Sequence, residues 1–234
     1  MLMKALQSTE TVFRFPRFDQ RTFVTGRTGS GKTVFGLWLL SAGDLARRPW
    51  LIFDYKLDSH LAKIQRSRDL GVHDKLPKLA GLYHLRLTPG IDDDAVENLL
   101  RRVWRCGNIG LYFDEGYSVP QGPWKSGFRT IMTQGRSLGI SAIVLTQRPV
   151  WIDKFAMSEA DFYAIFHLNQ KDDRKRVGEL LPDDATDIDE RLDEYHCRWY
   201  DVVSDKLCYL KPAPAPEKSI AAIDAKLKPK RNWI

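Results

Sequence analysis

Cysteine is scarce. Cys106, Cys197 and Cys208 are too few for a disulfide framework and odd in number, which excludes a stapled secreted scaffold and points to a reducing compartment. Long apolar runs are missing too. The best, Phe35-Gly-Leu-Trp-Leu-Leu40, stops at Ser41, well short of the roughly 18 residues that a membrane span needs. Residues 1–10 carry no signal-peptide apolar region, so a soluble chain made in a cytoplasm, with no direct membrane span, is expected. Charge of one sign is not in large excess: 36 Lys+Arg against 30 Asp+Glu leave a net +6. Residues 211–234 hold six basic and two acidic residues, so that stretch alone carries +4 and the rest is nearly balanced. Any nucleic-acid contact by the body must therefore come from local loops rather than a general basic field. No internal repeat is present.

What is there is ordinary globular material. The chain has 234 residues, 43% hydrophobic and 28% charged, enough for one large domain with appendages. The pattern predicts extended segments at Thr11-Val-Phe-Arg-Phe15 and Arg21-Thr-Phe-Val-Thr25, then a helix from Thr33 to Ala42. Buried strands are expected at Trp50–Tyr55, Tyr83–Leu87, Ile109–Phe113, Ile140–Leu145 and Phe162–Leu168. Asp92-Asp93-Asp94 opens a helix that Arg101, Arg102 and Arg105 end, matching the helix dipole. Helices are also expected from Ser126 to Leu138 and from Asp172 to Leu181, and a hairpin at Tyr195–Tyr200 and Lys206–Leu210. Alternating strands and helices imply a mostly parallel sheet covered on both faces, with ligands at the carboxyl ends of its strands.

Gly26-Arg-Thr-Gly-Ser-Gly-Lys-Thr33 fits G-x-x-x-x-G-K-[ST] completely. Its glycines let backbone N–H groups wrap a phosphate, so Gly26, Arg27, Thr28, Gly29, Ser30, Gly31, Lys32 and Thr33 form the expected ATP-binding loop. Lys32 reaches the β- and γ-phosphates, Thr33 offers its hydroxyl to Mg²⁺, and the following helix presents its positive end to the anion. The strand at 109–113 ends in Asp114-Glu115, an unfavourable arrangement unless something polar sits there. Asp114 is the expected Mg²⁺ residue and Glu115 the expected base for the attacking water. Gln147 ends the next strand in the same layer and can touch the γ-phosphate or the water. Arg136 ends the helix before that strand and can serve a neighbouring subunit's phosphate, or simply cap its own helix. The cysteines are expected in the core, and the histidines show no metal-ligand spacing with them.

These residues resemble the FtsK/HerA superfamily of DNA-pumping ATPases, from about Thr22 to Pro149. Gln134-Gly-Arg-Ser-Leu-Gly-Ile-Ser-Ala-Ile-Val-Leu-Thr-Gln-Arg-Pro149 is the most specific stretch. The resemblance implies a three-layer α/β P-loop domain of the RecA-like kind over residues 1–211, with a Pro-rich linker and basic arm over 212–234. It maps the family's trans-acting arginine onto Arg136 and its phosphate-sensing glutamine onto Gln147. Phe53-Asp-Tyr-Lys56 looks like the family's Asp-Pro-Lys strand end with Tyr55 in place of proline. In size, the chain is similar to the compact genome-packaging ATPases of tectivirus-like, membrane-containing double-jelly-roll viruses. That implies a DNA translocase working as a hexameric ring on double-stranded DNA, with a capsid-vertex protein as a further partner, at the virion vertex and in the host cytoplasm. The alternatives are a cellular or plasmid DNA pump, a Zot-like nucleotide-dependent assembly protein, and a small-molecule phosphotransferase. Candidate DNA loops are 56–68, with Lys63, Arg66 and Arg68, and 121–127, with Lys125. Trp124 is expected to be a packed anchor, and Ile220, Ile223 and Leu227 to form an amphipathic arm that clasps a neighbour or a vertex protein.

Overall fold

A computed structural model describes residues 13–182 and 192–227. Its strands are β1 (Arg21–Thr25), β2 (Pro49–Asp54), β3 (Arg68–Asp69), β4 (Gly81–Arg86), β5 (Gly110–Phe113), β6 (Ser141–Thr146), β7 (Phe162–Ile165), β8 (Cys197–Asp201) and β9 (Lys206–Leu210). Its helices are α1 (Lys32–Ala42), α2 (Asp93–Cys106), α3 (Gly127–Gln134), α4 (Lys154–Ser158), α5 (Lys171–Gly178) and α6 (Pro216–Lys226). The strands form one sheet in the order β3-β4-β2-β5-β6-β1-β7-β8-β9. Pairing is parallel from β3 to β7, and the β8–β9 hairpin adds two antiparallel pairings at one edge.

The strands read as unbroken apolar runs because both faces are covered. Leu51, Phe53, Leu111, Phe113 and Val144 join a core with Val96, Leu99 and Leu100 of α2 and Phe128, Ile131 and Met132 of α3. Val24, Ile52, Ile143 and Leu145 face the other way, onto Phe35, Leu37 and Leu40 of α1. The result is the three-layer arrangement the alternating pattern predicts. Phe53 is in register with Phe113, and Phe113 with Val144, so the ends of β2, β5 and β6 emerge side by side.

Several expectations change. The part of Thr11–Phe15 that is described is not a strand; residues 11 and 12 lie outside the described residues. Phe13 instead stacks on Trp38 and tilts against Trp199. The Phe162–Leu168 strand stops at Ile165 because the next residues serve the phosphate loop, with Arg27 N–H bonded to the His167 carbonyl. Cys106 is exposed at the end of α2 and only Cys197 is buried, so the cysteines are not a core set.

The arm is the largest change. Pro216 opens α6 at a position where a missing N–H costs nothing. Ile220 and Ile223 then bury against α1, in the same cluster as Leu39, Leu40 and Leu45. Asp224 accepts the backbone N–H groups of Gln65 and Arg66, and the Lys226 ammonium donates to the Gly43 carbonyl at 2.8 Å. The arm is thus bound to its own domain as far as Leu227, and residues 228–234 lie outside the described residues. Ile223→Ala is expected to lower unfolding free energy by about 2–4 kcal/mol in a urea titration, because Ile223 is fully buried; an arm that leaves the domain would show almost no change.

Candidate active site

The phosphate loop is held by its neighbours. Gly26 N–H points to the Thr146 carbonyl at the end of β6, and Ser30 N–H closes a turn on the Arg27 carbonyl at 3.2 Å. Gly31 caps α1 in the left-handed region at φ 97, where a side chain would be strained. The turn leaves the first N–H groups of α1 facing outward, which makes the helix start an anion site. A crevice of about 600 Å³ opens beside the loop, lined by Arg27, Gly29, Ser30, Phe166, His167 and Tyr195. That space suits a nucleoside next to the phosphates.

Lys32 is buried, and its ammonium lies 2.9 Å from the Arg27 carbonyl, across the mouth of the loop. Burial, with Lys56 adding repulsion, pushes its pKa down to about 8. Asp114 stands at the end of β5 with no exposed surface, and neither of its carboxylate oxygens has a hydrogen-bond partner. Desolvation raises its pKa to about 7; Lys56 opposes this, while Asp58, Asp54 and Glu115 add to it. Two orphaned carboxylate oxygens in a dry, negatively charged corner are what a divalent cation would satisfy, so these residues fit Mg²⁺.

Glu115 follows directly and is also buried. Its carboxylate pairs with the Lys56 ammonium, and burial raises its pKa against the pull of Lys56 and Lys32. Gly116 lets the chain turn flat against β6, since a Cβ there would come 2.4 Å from Val144. Gln147 is joined to the loop by the Thr28 hydroxyl, which donates to its Oε1 at 2.5 Å. Lys32, Asp114, Glu115 and Gln147 therefore meet at the carboxyl ends of β1, β5 and β6, as their order in the sequence predicts.

Arg136 is elsewhere. It is half exposed on a short 3-10 turn (Gly135–Leu138), with loose ion pairs to Asp19 and Asp161 at 3.8 and 3.6 Å. Asp19 and Asp161 precede β1 and β7, so Arg136 lies at the amino ends of strands whose carboxyl ends hold the phosphate loop. The length of β1, about 16 Å at 3.3 Å per residue, separates it from its own loop. Arg148 turns from the site, paired with buried Asp173 at 2.9 Å and lying over the Trp151 ring. Trp124 is not a packed anchor: it is 89% exposed, and Lys125 beside it is paired with Asp93 and Asp94. Arg68 lies over the ring of Tyr83. The sequence places Lys56 at the Asp-Tyr-Lys strand end and at the start of a candidate DNA loop; its contact with Glu115 follows only from the pairing of β2 with β5.

A strand lying between those that carry the phosphate loop and the acidic pair, with Glu115 directly after Asp114 and a glutamine ending the strand between, defines a P-loop ATPase of the RecA-like class. The chain is 35% identical over 226 residues to the DNA packaging ATPase P9 of Enterobacteria phage PRD1, covering 94% of this chain and 98% of that one. It belongs to that family of viral DNA-packaging ATPases. Among solved structures, it resembles the genome packaging NTPase B204 of Sulfolobus turreted icosahedral virus 2 in complex with AMP, with a TM-score of 0.66, 18% identity, and coverage of 84% of this chain and 99% of that one. VirB4 of Thermoanaerobacter pseudethanolicus shares the fold at a TM-score of 0.62 and 11% identity, over 85% of this chain and 90% of that one. No protein-family model matches the chain.

Because Lys32 is held against its burial, Lys32→Met is expected to leave the ligand-free fold at least as stable while weakening nucleotide binding by about tenfold or more, measured by calorimetric titration. A lysine whose folded pKa lies below its unfolded value carries its full cost below the folded pKa and loses it above the unfolded one. The stability of the wild type relative to Lys32→Met should therefore rise between pH about 8 and 10.5.

Proposed function

We propose that this ATPase drives double-stranded DNA into a viral capsid as a ring, with each active site completed by the next subunit. The observation that carries the shared site is the position of Arg136. It is half exposed, on a motif specific to DNA-pumping ATPases, at the opposite end of the sheet from the loop of its own chain. A cation so placed can meet a phosphate only across an interface. There it would stabilise charge developing on the transferred phosphoryl group, an effect of roughly 10³–10⁵ in rate.

Within one subunit, the loop Gly26–Thr33 holds the triphosphate and Lys32 neutralises its β- and γ-oxygens. Thr33 and Asp114 would hold Mg²⁺, which when bound shields the charge between the β- and γ-phosphates. Glu115 accepts the proton of the attacking water, and Gln147, joined to the loop through Thr28, orients that water against the γ-phosphate. Burial of Glu115 favours this, since desolvation raises the proton affinity of its carboxylate. The ring size proposed is six, the site of action the host cell during virion assembly, and the docking partner a protein of the packaging vertex. A pure nucleotide switch has no use for the buried Glu115 beside the magnesium aspartate.

Glu115→Gln is expected to lower kcat by about 10²–10⁴ with nucleotide affinity retained. Arg136→Ala should bind ATP normally yet hydrolyse it about 10³-fold more slowly, with DNA present. Mixing the two inactive variants tests the shared site directly. Mixed rings contain interfaces with an intact Glu115 and an intact Arg136, so hydrolysis should return; no recovery at any ratio would show that Arg136 does not act across an interface.

A further inference from the structure

In the hydrolysis scheme above, Glu115 and Gln147 hold one water between them, yet neither belongs to a strand. β5 ends at Phe113 and β6 at Thr146, so both groups stand past the last residue that the sheet ladder fixes. Each is followed closely by a short turn. Beyond Glu115 comes a 3-10 turn (Gly116–Ser118), closed by the Ser118 N–H on the Glu115 carbonyl at 3.0 Å. Beyond Gln147 comes a second (Pro149–Trp151), closed by the Trp151 N–H on the Arg148 carbonyl at 3.0 Å. The aim of each side chain therefore depends on the turn behind it.

The two turns meet at one ring. Trp151 stands edge-on to Tyr117, with the ring centroids 5.3 Å apart. The Arg148 guanidinium lies 4.3 Å from the centroid of the same indole. Arg148 directly follows Gln147, and Tyr117 comes two residues after Glu115, so Trp151 joins the chain behind one group to the chain behind the other. Both contacts are directional, because they depend on the ring's charge distribution. The assembly is anchored from α5. Asp173, 1% exposed, pairs with Arg148 at 2.9 Å and accepts the Val150 N–H at 3.1 Å. Trp151 itself is 56% exposed. A ring so open to water gains little from burial, and its ring contacts run to residues that flank the reacting pair.

From this arrangement we infer that Trp151 is a positioning residue for hydrolysis: the stack of Arg148, Trp151 and Tyr117, anchored on Asp173, fixes the separation of Gln147 and Glu115 so that one water meets both. The inference rests on the roles given above to Glu115 and Gln147 and deepens them. Proton transfer and orientation both work only within hydrogen-bond reach, so a small drift of either group removes the water from one of them. The stack touches neither nucleotide nor water. Its loss slows the chemical step and leaves binding alone, and it acts only while both groups are present to be spaced.

The experiment is steady-state ATP hydrolysis by the full chain, with and without double-stranded DNA. Trp151→Ala is expected to lower kcat by about tenfold in both conditions with KM unchanged. Trp151→Phe, which keeps a ring in place, should stay within about twofold of the wild type. Tyr117→Leu breaks the stack from the other end and should repeat the loss, which keeps the test open if one variant folds poorly. Tm of Trp151→Ala should fall by no more than about 2–4 °C, since the ring is exposed. Gln147→Ala/Trp151→Ala should be no slower than Gln147→Ala alone, because no separation is left to set. An unchanged kcat in Trp151→Ala and Tyr117→Leu would overturn the inference. Multiplying losses in the double variant would overturn it too, making Trp151 act elsewhere. A loss confined to reactions with DNA would overturn it by making the exposed ring an outward contact. Undiminished hydrolysis in Glu115→Gln and Gln147→Ala would overturn the reading of the site itself, whereas full activity of Trp151→Ala beside impaired Gln147→Ala would overturn this inference alone.

Discussion

Two carboxylates at the end of an apolar strand set the terms for the rest of this molecule. Asp114 and Glu115 are both removed from water, and burial works against the charge of each. Isolated, such a pair would neutralise or unfold the corner that holds it. It is tolerated because Lys32 and Lys56 reach in from two other elements and because Asp114 presents bare oxygens where a cation can sit. The two lysines balance the two carboxylates in number, yet both oxygens of Asp114 remain without a partner, so the corner is still open to a cation.

The sheet makes this convergence possible. Parallel strands send all their carboxyl ends to one edge, so residues far apart in the chain need only end their strands in register to meet. Phe53 beside Phe113, and Phe113 beside Val144, are apolar pairings with no chemistry of their own. They nevertheless decide that Lys56, Glu115 and Gln147 stand at one edge of the sheet. The same directionality removes Arg136. Ending the helix that leads into β6, it emerges at the amino edge, away from the phosphate loop of its own chain.

Much of this could be read from the residues in order. Gly26–Thr33 specified its loop because each residue type answers a local demand of phosphate binding, and the buried strands showed as continuous apolar runs because both their faces are covered. The difficulties arose where a neighbour decides. Phe13 and Phe15 look like strand residues, yet they pack as aromatic rings on Trp38. Ile220 and Ile223 make an amphipathic arm whichever body it lies on, and only the groove beside α1 determines that it is its own. Trp124 between glycines carries no local sign of whether a pocket awaits it, and none does.

The sequence by itself determined the nucleotide chemistry: a loop that wraps phosphate, an acidic pair after a buried strand and a glutamine after the next. Those features are local, because each depends on the conformations open to a few consecutive residues. Tertiary structure alone decided which charges face one another. The sequence places Lys56 at a strand end that opens a candidate DNA loop and leaves Arg136 between a helix-end role and a neighbour's phosphate; only the pairing of β2 with β5 sets Lys56 on Glu115, and only the sheet shows how far Arg136 stands from its own loop. Coulombic partners are chosen by distance through space and by the exclusion of water, and neither quantity exists until the strands have paired.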